Sequence, residues 1–149
     1  MPVEEQPINI TISKEQLDNW HIFFALPCYD SHVTEPFMMS FLQTALYFKE
    51  IGLKYSVCTI SDSLINRARN NLVAKFMGNP EYTHLIFIDV DLQFDKEAVL
   101  KMLWHDKDVI TASYPIKEIS WDKVKEGAQA DLPATDLMEY ATRYVVHMT

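Results

Sequence analysis

Two aspartates separated by a single residue, Asp89 and Asp91, end an apolar segment that begins at His84. The run Leu-Ile-Phe-Ile before them predicts a strand buried on both faces, of the kind found in the middle of a parallel sheet. Because strand side chains alternate, both carboxylates should project to the same side. Like charges held this close repel each other unless a cation or hydrogen bonds lie between them. Carboxylate oxygens suit Mn2+ or Mg2+, which take their other ligands from water and phosphate.

Two arginines, Arg67 and Arg69, carry a second kind of binding chemistry, in the run Asn-Arg-Ala-Arg-Asn-Asn. A planar guanidinium can bind phosphate oxygens with two parallel hydrogen bonds. Residues two apart on a helix point about 200° apart, so only one of the pair is expected to face a shared site. A solvated helix face is the alternative for both side chains, and the sequence leaves the two interpretations open.

The overall charge argues against a nucleic-acid partner. The 149 residues carry a formal net charge of -8, with a pI near 5.0, whereas proteins bind a polynucleotide backbone through clustered Lys and Arg. A chain this acidic must bind phosphate locally, with a few placed arginines, helix N-termini or a metal ion. The chain length and the apolar content of 48% indicate one packed domain.

Nothing in the sequence indicates secretion or a membrane. The first twenty residues lack the positively charged start and apolar core of a signal peptide, and no apolar run approaches the roughly 20 residues of a transmembrane helix. The two cysteines, Cys28 and Cys58, form no Cys-x-x-Cys pattern and are interpreted as free thiols. We therefore expect a cytoplasmic protein without a transmembrane segment.

The elements that must position these residues are predicted as strands and helices in alternation. Pro27 is expected to stop the first strand, because proline cannot donate to a sheet ladder. The short loops fit crossover connections and indicate an α/β fold with a parallel sheet. The strands are expected at residues 21–26, 54–60, 84–91 and 108–113. The helices are expected at residues 35–51, from about 62 to 77, and 95–104.

Capping residues mark the helix boundaries. Thr34 suits the N-cap of the first helix and Gly52 its C-terminal stop, while Gly78 closes the second helix and any residue of Ser-Asp-Ser at 61–63 suits its N-cap. Helical spacing predicts that the first helix buries one apolar face. That face is expected to contain Phe37, Phe41, Ala45 and Phe48, widened by Met38, Met39 and Leu42.

Four chain segments are expected to meet at one edge of the sheet. In parallel sheets ligands bind outside the carboxyl ends of the strands. We call this edge the rim, and it is predicted to be built from residues 27–30, 61–63, 89–91 and 113–117. The paired aspartates would then share one site with the loops that follow the first two strands.

These features together resemble one enzyme family. The first strand ends in Pro-Cys-Tyr-Asp, the second in Ser-Asp-Ser, and Leu-Ile-Phe-Ile-Asp-Val-Asp precedes a helix and a short strand. From Ile22 to Lys117 the sequence is similar to the nucleotide-sugar-binding half of a family 2 glycosyltransferase with the GT-A fold. The resemblance implies a three-layer α/β/α architecture with a mostly parallel central sheet. It also implies transfer of a sugar with inversion, from a UDP- or GDP-sugar to an unknown acceptor.

The resemblance also implies roles for individual residues. Asp91 would coordinate a Mn2+ or Mg2+ ion that bridges the diphosphate, and Asp89 would contact the ribose or share the metal. Asp62 would hydrogen-bond the base, and Arg67 and Arg69 would reach the diphosphate or the sugar. The loop that wraps the base and ribose would consist of Pro27, Cys28, Tyr29 and Asp30.

The same resemblance divides the chain. Residues 1–20 are expected to form an N-terminal extension, 21–117 the nucleotide-sugar-binding α/β domain, and 118–149 the start of the acceptor side within the same domain. In the family, the acceptor-binding half and the catalytic base lie further along the chain. The sequence does not choose a base among its available carboxylates there, which are Asp131, Asp136 and Glu139.

Two other functional classes remain open at this point. A metal-dependent phosphatase or nuclease could also use Asp89 and Asp91, although the phosphatase pattern carries Thr or Val two residues beyond the second aspartate, where this chain has Gln93. A non-catalytic nucleotide-binding module is the third interpretation, and it requires no acceptor half.

Overall fold

The computed structural model describes residues 12–144. Most of the predicted N-terminal extension therefore lies outside the described residues. The chain forms two compact units, the first extending to Asp106 and the second beginning at Lys107. The first unit contains α1 (Lys14–Asn19), β1 (His21–Cys28), α2 (Glu35–Ile51), β2 (Lys54–Ser61), α3 (Ile65–Met77), β3 (His84–Phe87) and α4 (Ala98–Trp104). The second contains β4 (Pro115–Ile119), α5 (Trp121–Gln129), α6 (Ala134–Ala141) and β5 (Thr142–Tyr144).

The first unit is a mixed α/β structure built on a three-stranded parallel sheet. The strand order is β2-β1-β3, and Phe24 of β1 lies in register with Val57 of β2 and Ile86 of β3. Each strand is followed by a helix, so the predicted alternation and the parallel α/β class are confirmed for this unit. The carboxyl ends of all three strands consequently lie at one edge.

Strand β1 supplies side chains to two separate hydrophobic clusters. Ile22 and Phe24 pack with residues of α2 and α4, whereas Phe23 and Ala25 pack with Leu72 of α3. Alternate residues of a strand project to opposite faces. The continuous apolar run of β1 therefore reflects burial on both faces, and every residue of β1 after His21 is buried.

The prediction that the segment before Asp89 forms the central strand is wrong. In the described sheet that segment, β3, is an outer strand that pairs with β1 alone, and Phe87 is 40% exposed. The strand that is buried on both faces is β1. Both segments are short apolar runs, and composition does not distinguish a strand with two neighbours from a strand with one.

Pro27 does not end β1, contrary to prediction. The strand continues to Cys28, with Pro27 opposite Ile60 of β2. Along β1, Ala25 accepts a hydrogen bond from Ile88 on the β3 side, whereas Cys28 accepts one from Asp62 on the β2 side. Alternate residues of β1 therefore direct their backbone groups to opposite sides. Pro27, two residues after Ala25, faces the β3 side, but β3 has already ended at Phe87. The missing N–H of proline costs no ladder bond.

The predicted limits of α2 are confirmed. The Thr34 hydroxyl accepts a hydrogen bond from the backbone N–H of Phe37, and Gly52 ends the helix with a φ of 77°, in the left-handed region that glycine tolerates. Phe37 and Phe48 are buried as expected. The expected widening of this buried face is wrong, because the polar residues Ser40 and Thr44 are buried instead. The exposed residues are Met38, Met39 and Leu42.

The other helices of the first unit begin later than predicted. Helix α3 starts at Ile65 with Leu64 in the N-cap position and no side-chain cap, so none of the three residues at 61–63 is the N-cap. Helix α4 starts at Ala98, and the turn before it is closed by a hydrogen bond from the Ala98 N–H to the backbone carbonyl of Asp95. The predicted ends of α3 and α4 are confirmed.

The second unit contains no strand at residues 108–113, where a fourth parallel strand was predicted, and Val109 is 90% exposed. The strand begins at Pro115 instead and pairs with β5 in antiparallel orientation. In the sequence between these strands, α5 and α6 pack against each other, and a Cβ atom added at Gly127 would lie only 3.1 Å from Leu137 Cδ2. Across residues 12–144, no helix is both long and apolar enough to span a bilayer.

Candidate functional site

The loops that follow β1 and β2 are hydrogen-bonded to each other at the rim. The backbone N–H of Asp62 donates to the carbonyl of Cys28 (3.2 Å), and the Ser31 hydroxyl donates to the Ser61 hydroxyl oxygen (2.9 Å). Two of the four predicted rim segments are therefore held side by side. This arrangement follows directly from parallel pairing of β1 with β2.

The loop after β1 presents one aromatic side chain on a constrained backbone. Tyr29 is 69% exposed, and the two residues after it, Asp30 and Ser31, have φ values of 52° and 59°. Non-glycine residues rarely adopt this left-handed conformation, and such positions concentrate at ligand-binding sites. Cys28 points inward, where its thiol donates to the carbonyl of His32. Of the four predicted loop residues, Tyr29 and Asp30 thus have exposed side chains, whereas Pro27 and Cys28 are buried.

Asp62 is held by two partners from the start of α3. The guanidinium of Arg67 donates to both carboxylate oxygens, with 2.6 Å between Nη2 and Oδ1, and the Leu64 N–H donates to Oδ1 at 2.9 Å. The Asp62 side chain is only 10% exposed. The hydrogen bond from Arg67, and after it the one from Leu64, lowers the pKa of Asp62 from 3.8 to about 2.

This arrangement gives a testable pH dependence. A carboxylate whose pKa is depressed in the folded protein stabilises it above the unfolded-state pKa, and this contribution disappears as the pH falls through the folded value. For Asp62 the window runs from 3.8 down to about 2. We expect a carboxyl-carbon NMR titration to give a midpoint near 2, and a higher midpoint in Arg67→Met. A wild-type midpoint at 3.8 would contradict the observed contacts.

Asp89 and Asp91 lie just past the end of β3. Ile88 and Val90 are buried in the core cluster, whereas the Asp89 side chain is 37% exposed and Asp91 is exposed. The alternation of buried and exposed side chains that is typical of a strand thus continues beyond Phe87, where the pairing of β3 with β1 ends. The chain then turns, with the Leu92 N–H donating to the carbonyl of Asp89 at 3.2 Å.

The turn that carries these aspartates is attached to helix α2. The carbonyl of Val90 accepts a hydrogen bond from the backbone N–H of Thr34, the N-cap of α2, at 3.1 Å. The Thr34 hydroxyl lies 3.4 Å from the same carbonyl. The Val90 side chain is also buried, so the backbone between the two carboxylates is held both by hydrogen bonds and by side-chain packing. The Asp-Val-Asp segment is therefore a positioned feature of the rim and not a loose loop.

Both arginines of α3 contact carboxylates of the rim. Arg67 binds Asp62 after β2, and Arg69 binds Asp89 after β3, with 3.1 Å between Nη2 and Oδ1. The prediction that only one arginine would face the site is wrong. The angle of about 200° describes the directions in which the two side chains leave the helix. Both side chains are long enough to reach carboxylates, and these carboxylates follow two different strands.

Two carboxylates in one segment limit how a metal ion could be held. Among residues 12–144, no three or more His, Cys, Asp and Glu side chains are grouped closely enough to hold a metal. A cation at Asp89 and Asp91 would therefore need ligands from elsewhere. Mg2+ and Mn2+ bind in this way, through one or two carboxylates completed by water and phosphate oxygens. The residues present thus fit a metal that arrives with a phosphate ligand.

Sequence reasoning missed two surface grooves in the first unit. One has a volume of about 590 Å³ and runs along the first half of α3, and the other, of about 420 Å³, follows the Asp-Val-Asp segment. The asparagines that flank the two arginines in the sequence were the feature that could have indicated the first groove. The first is lined by both apolar and polar residues, which are Ser63, Leu64, Ile65, Asn66, Arg67, Asn70 and Asn71. The second is lined by residues that include Gln43, Gln93 and Asp95.

The remaining predicted segment, 113–117, belongs to the second unit, as do the three carboxylates considered for a catalytic base. Asp136 lies in the first turn of α6, Glu139 lies further along the same helix, and Asp131 follows α5 with a φ of 52°. All three are exposed. Comparison of the chain with protein-family models, with curated proteins and with solved structures gives no match.

Proposed function

We propose that this chain binds a nucleoside-diphosphate sugar together with a divalent metal ion at the rim, and acts as the donor-binding part of a glycosyltransferase. The proposal includes a GT-A-like, three-layer arrangement around the parallel sheet. The sequence resemblance described above motivates the sugar-nucleotide class. Mn2+ or Mg2+ is the proposed cofactor, and the acceptor is not assigned.

The observation that carries the proposal is the convergence of three strand ends on one edge. An exposed aromatic residue, Tyr29, follows β1; an ionised carboxylate, Asp62, follows β2; and the pair Asp89 and Asp91 follows β3. Ligands of parallel α/β sheets bind at this edge. In the proposed site, Tyr29 would lie against the base and ribose, and Asp89 and Asp91 would hold the metal ion that binds the diphosphate. Asp62, already bound by Arg67, would border the base.

The charges at the rim support a phosphate ligand that carries a metal. The carboxylates alone would repel a nucleoside diphosphate, since like charges oppose each other. A divalent cation bound by Asp89 and Asp91 would neutralise that local charge and give the diphosphate oxygens a positive ligand. In sugar transfer, the leaving nucleoside diphosphate develops negative charge, and a metal ion stabilises this charge without proton transfer.

The test is a thermal denaturation series with UDP, GDP and their sugar conjugates, each with and without Mn2+. A ligand that binds only the folded protein raises the apparent stability by mass action, by about 2.7 kcal/mol at one hundred times its dissociation constant. We expect stabilisation by one of the nucleoside diphosphates, and we expect that stabilisation to require Mn2+.

The denaturation series and two activity assays separate the proposal from its alternatives. Equal stabilisation with and without Mn2+ would contradict a metal-bridged diphosphate. Release of inorganic phosphate from a simple phosphate ester would favour a phosphatase instead. Binding without any turnover of the sugar nucleotide, even when acceptor sugars are supplied, would leave the chain as a nucleotide-binding module.

A further inference from the structure

Helix α2 carries apolar side chains on its outer face as well as on the face that it buries. Phe37 and Phe48 pack in the core, whereas four large apolar side chains on the other side are between 42% and 59% exposed. Only three of the 17 residues of α2 are charged. A helix that is apolar all round is normally buried on all sides. The outer face of α2 therefore indicates an interaction surface. The four exposed side chains are Met38, Met39, Leu42 and Leu46.

These side chains belong to one stripe that is centred on Leu42. Successive residues of a helix are about 100° apart, so all members of the stripe lie within about 60° of Leu42 around the helix axis. The stripe extends over roughly 21 Å, from Glu35 at its N-terminal end to Lys49 at its C-terminal end. We call these seven residues the α2 stripe. Its apolar members are Met38, Met39, Leu42, Ala45 and Leu46.

The apolar part of the α2 stripe is symmetric about its centre. Met38 and Leu46 lie four residues before and after Leu42, and Met39 and Ala45 lie three residues before and after it. If two copies of α2 packed antiparallel with a twofold axis at Leu42, apolar side chains would meet apolar side chains along the whole contact. A twofold interface requires such a surface, because the same patch is used on both subunits.

The charged ends of the α2 stripe are complementary in the same arrangement. Glu35 and Lys49 lie seven residues before and after Leu42, and both are exposed. Antiparallel packing would place Glu35 of each copy beside Lys49 of the other. In parallel packing, glutamate would face glutamate and lysine would face lysine, and like charges repel. The charges therefore favour the antiparallel orientation.

We propose that this protein forms a twofold dimer in which the α2 stripes of two chains pack antiparallel around Leu42. The proposal goes beyond the proposed function and does not depend on it. The partner is a second copy of this chain, because the stripe is complementary to itself in both its apolar and its charged residues.

The charge of the chain argues against a lipid surface as the partner of this face. Helices that lie on membranes carry many Lys and Arg residues beside the apolar face, and these residues bind anionic lipids. The α2 stripe has one acidic and one basic residue, and the whole chain has a formal net charge of -8. An anionic membrane would repel a protein of this charge.

The size of the contact sets the expected affinity. Each copy contributes one face of a single helix, which is less than the roughly 800 Å² per partner of a standard interface. Association also has to offset the loss of translational and rotational freedom. We therefore expect a reversible dimer with a dissociation constant of roughly 10–100 μM.

The experiment is sedimentation equilibrium of the full chain over a concentration series from roughly 1 μM to 1 mM. Wild type is compared with Leu42→Glu, which places two like charges at the twofold axis, and with Val73→Glu. Val73 is an exposed apolar residue in the middle of α3, so it provides the matched control. We expect Leu42→Glu to weaken the dimer at least roughly tenfold, with Val73→Glu close to wild type.

A charge-exchange series tests the orientation of the two helices. Glu35→Lys and Lys49→Glu should each weaken the dimer roughly threefold, because each creates like charges across the contact. The double variant Glu35→Lys/Lys49→Glu restores opposite charges and should return towards wild type. Both positions are exposed, so these variants keep the test decisive if Leu42→Glu fails to fold, as judged by circular dichroism.

Three results would overturn the proposal. The first is a wild type that stays monomeric at every concentration. The second is a dimer that Leu42→Glu leaves intact, or a double charge variant that is no stronger than the single variants. The third is a monomer that floats with phosphatidylcholine–phosphatidylserine vesicles in a density gradient, which would assign the α2 stripe to lipid. Nucleotide binding enters none of these measurements, so they are decided independently of the proposed function.

Discussion

Replacement of Asp91 by asparagine is expected to abolish the stabilisation of this chain by a nucleoside diphosphate and Mn2+. The substitution keeps the side-chain shape but removes the negative charge that a hard divalent cation requires. Asp91 is exposed and lies in a turn, so the fold itself should be retained, with a loss of unfolding free energy of no more than about 1 kcal/mol. Thermal denaturation without ligand and at saturating ligand measures the two quantities.

The matched control for Asp91→Asn is Asp95→Asn. Asp95 is also an exposed aspartate, four residues further along the same loop. This control should retain the full ligand-dependent shift in melting temperature. Equal shifts in wild type and Asp91→Asn would overturn the assignment of the metal to the Asp-Val-Asp segment.

Replacement of Phe24 by alanine is expected to cause the largest loss of stability in the first unit. Phe24 is fully buried at the centre of β1, and its ring lies 5.2 Å from that of Phe41 and 5.7 Å from that of Phe48. Truncation removes these contacts and leaves a cavity between the sheet and α2. Substitutions of this kind cost about 3–5 kcal/mol, a large fraction of the stability of a typical domain.

Phe87→Ala is the matched control for the Phe24 variant, because it makes the same substitution at a strand residue that is 40% exposed. Chemical denaturation followed by circular dichroism should give Phe87→Ala less than half the loss of Phe24→Ala. Equal losses would contradict the position of β1 as the central strand. Phe24→Leu, which retains much of the volume, provides a foldable variant if Phe24→Ala does not accumulate.

Local features of the fold could be predicted from sequence because their causes are local. The N-cap at Thr34 and the left-handed Gly52 depend on a few neighbouring residues, and both are confirmed. The capping box of α1, in which Ser13 and Gln16 bond each other's backbone, was missed although it follows the Ser-x-x-Gln pattern. That pattern alone predicts a helix start at this position.

Features that depend on distant pairing could not be predicted in this way. The apolar runs of β1 and β3 are equivalent in composition, and only the sheet order makes β1 central. Val109 and Ile110 have strand propensity, but the structure gives them no partner strand among the described residues. Strand propensity is realised only where pairing and burial support it.

The same distinction applies to the candidate site: the position of its loops could be predicted from the sequence, but its ion pairs could not. Parallel topology alone predicts that the loops at 27–30, 61–63 and 89–91 lie at one edge, and the three strand ends do share that edge. The ion pairs of Arg67 and Arg69 with Asp62 and Asp89 required the structure, because side-chain reach between loops leaves no periodic signal in a sequence.

The most direct test of the proposed site is to locate Mn2+ while a nucleoside diphosphate is bound. Paramagnetic Mn2+ broadens nearby amide signals in a two-dimensional NMR spectrum, and Mg2+ provides the diamagnetic reference. With UDP or GDP present, we expect selective broadening at Tyr29, Asp62 and the Asp89–Asp91 segment, with the C-terminal end of α3 unaffected. Broadening centred elsewhere in the chain, or none at these three rim segments, would contradict a metal–nucleotide site at the rim.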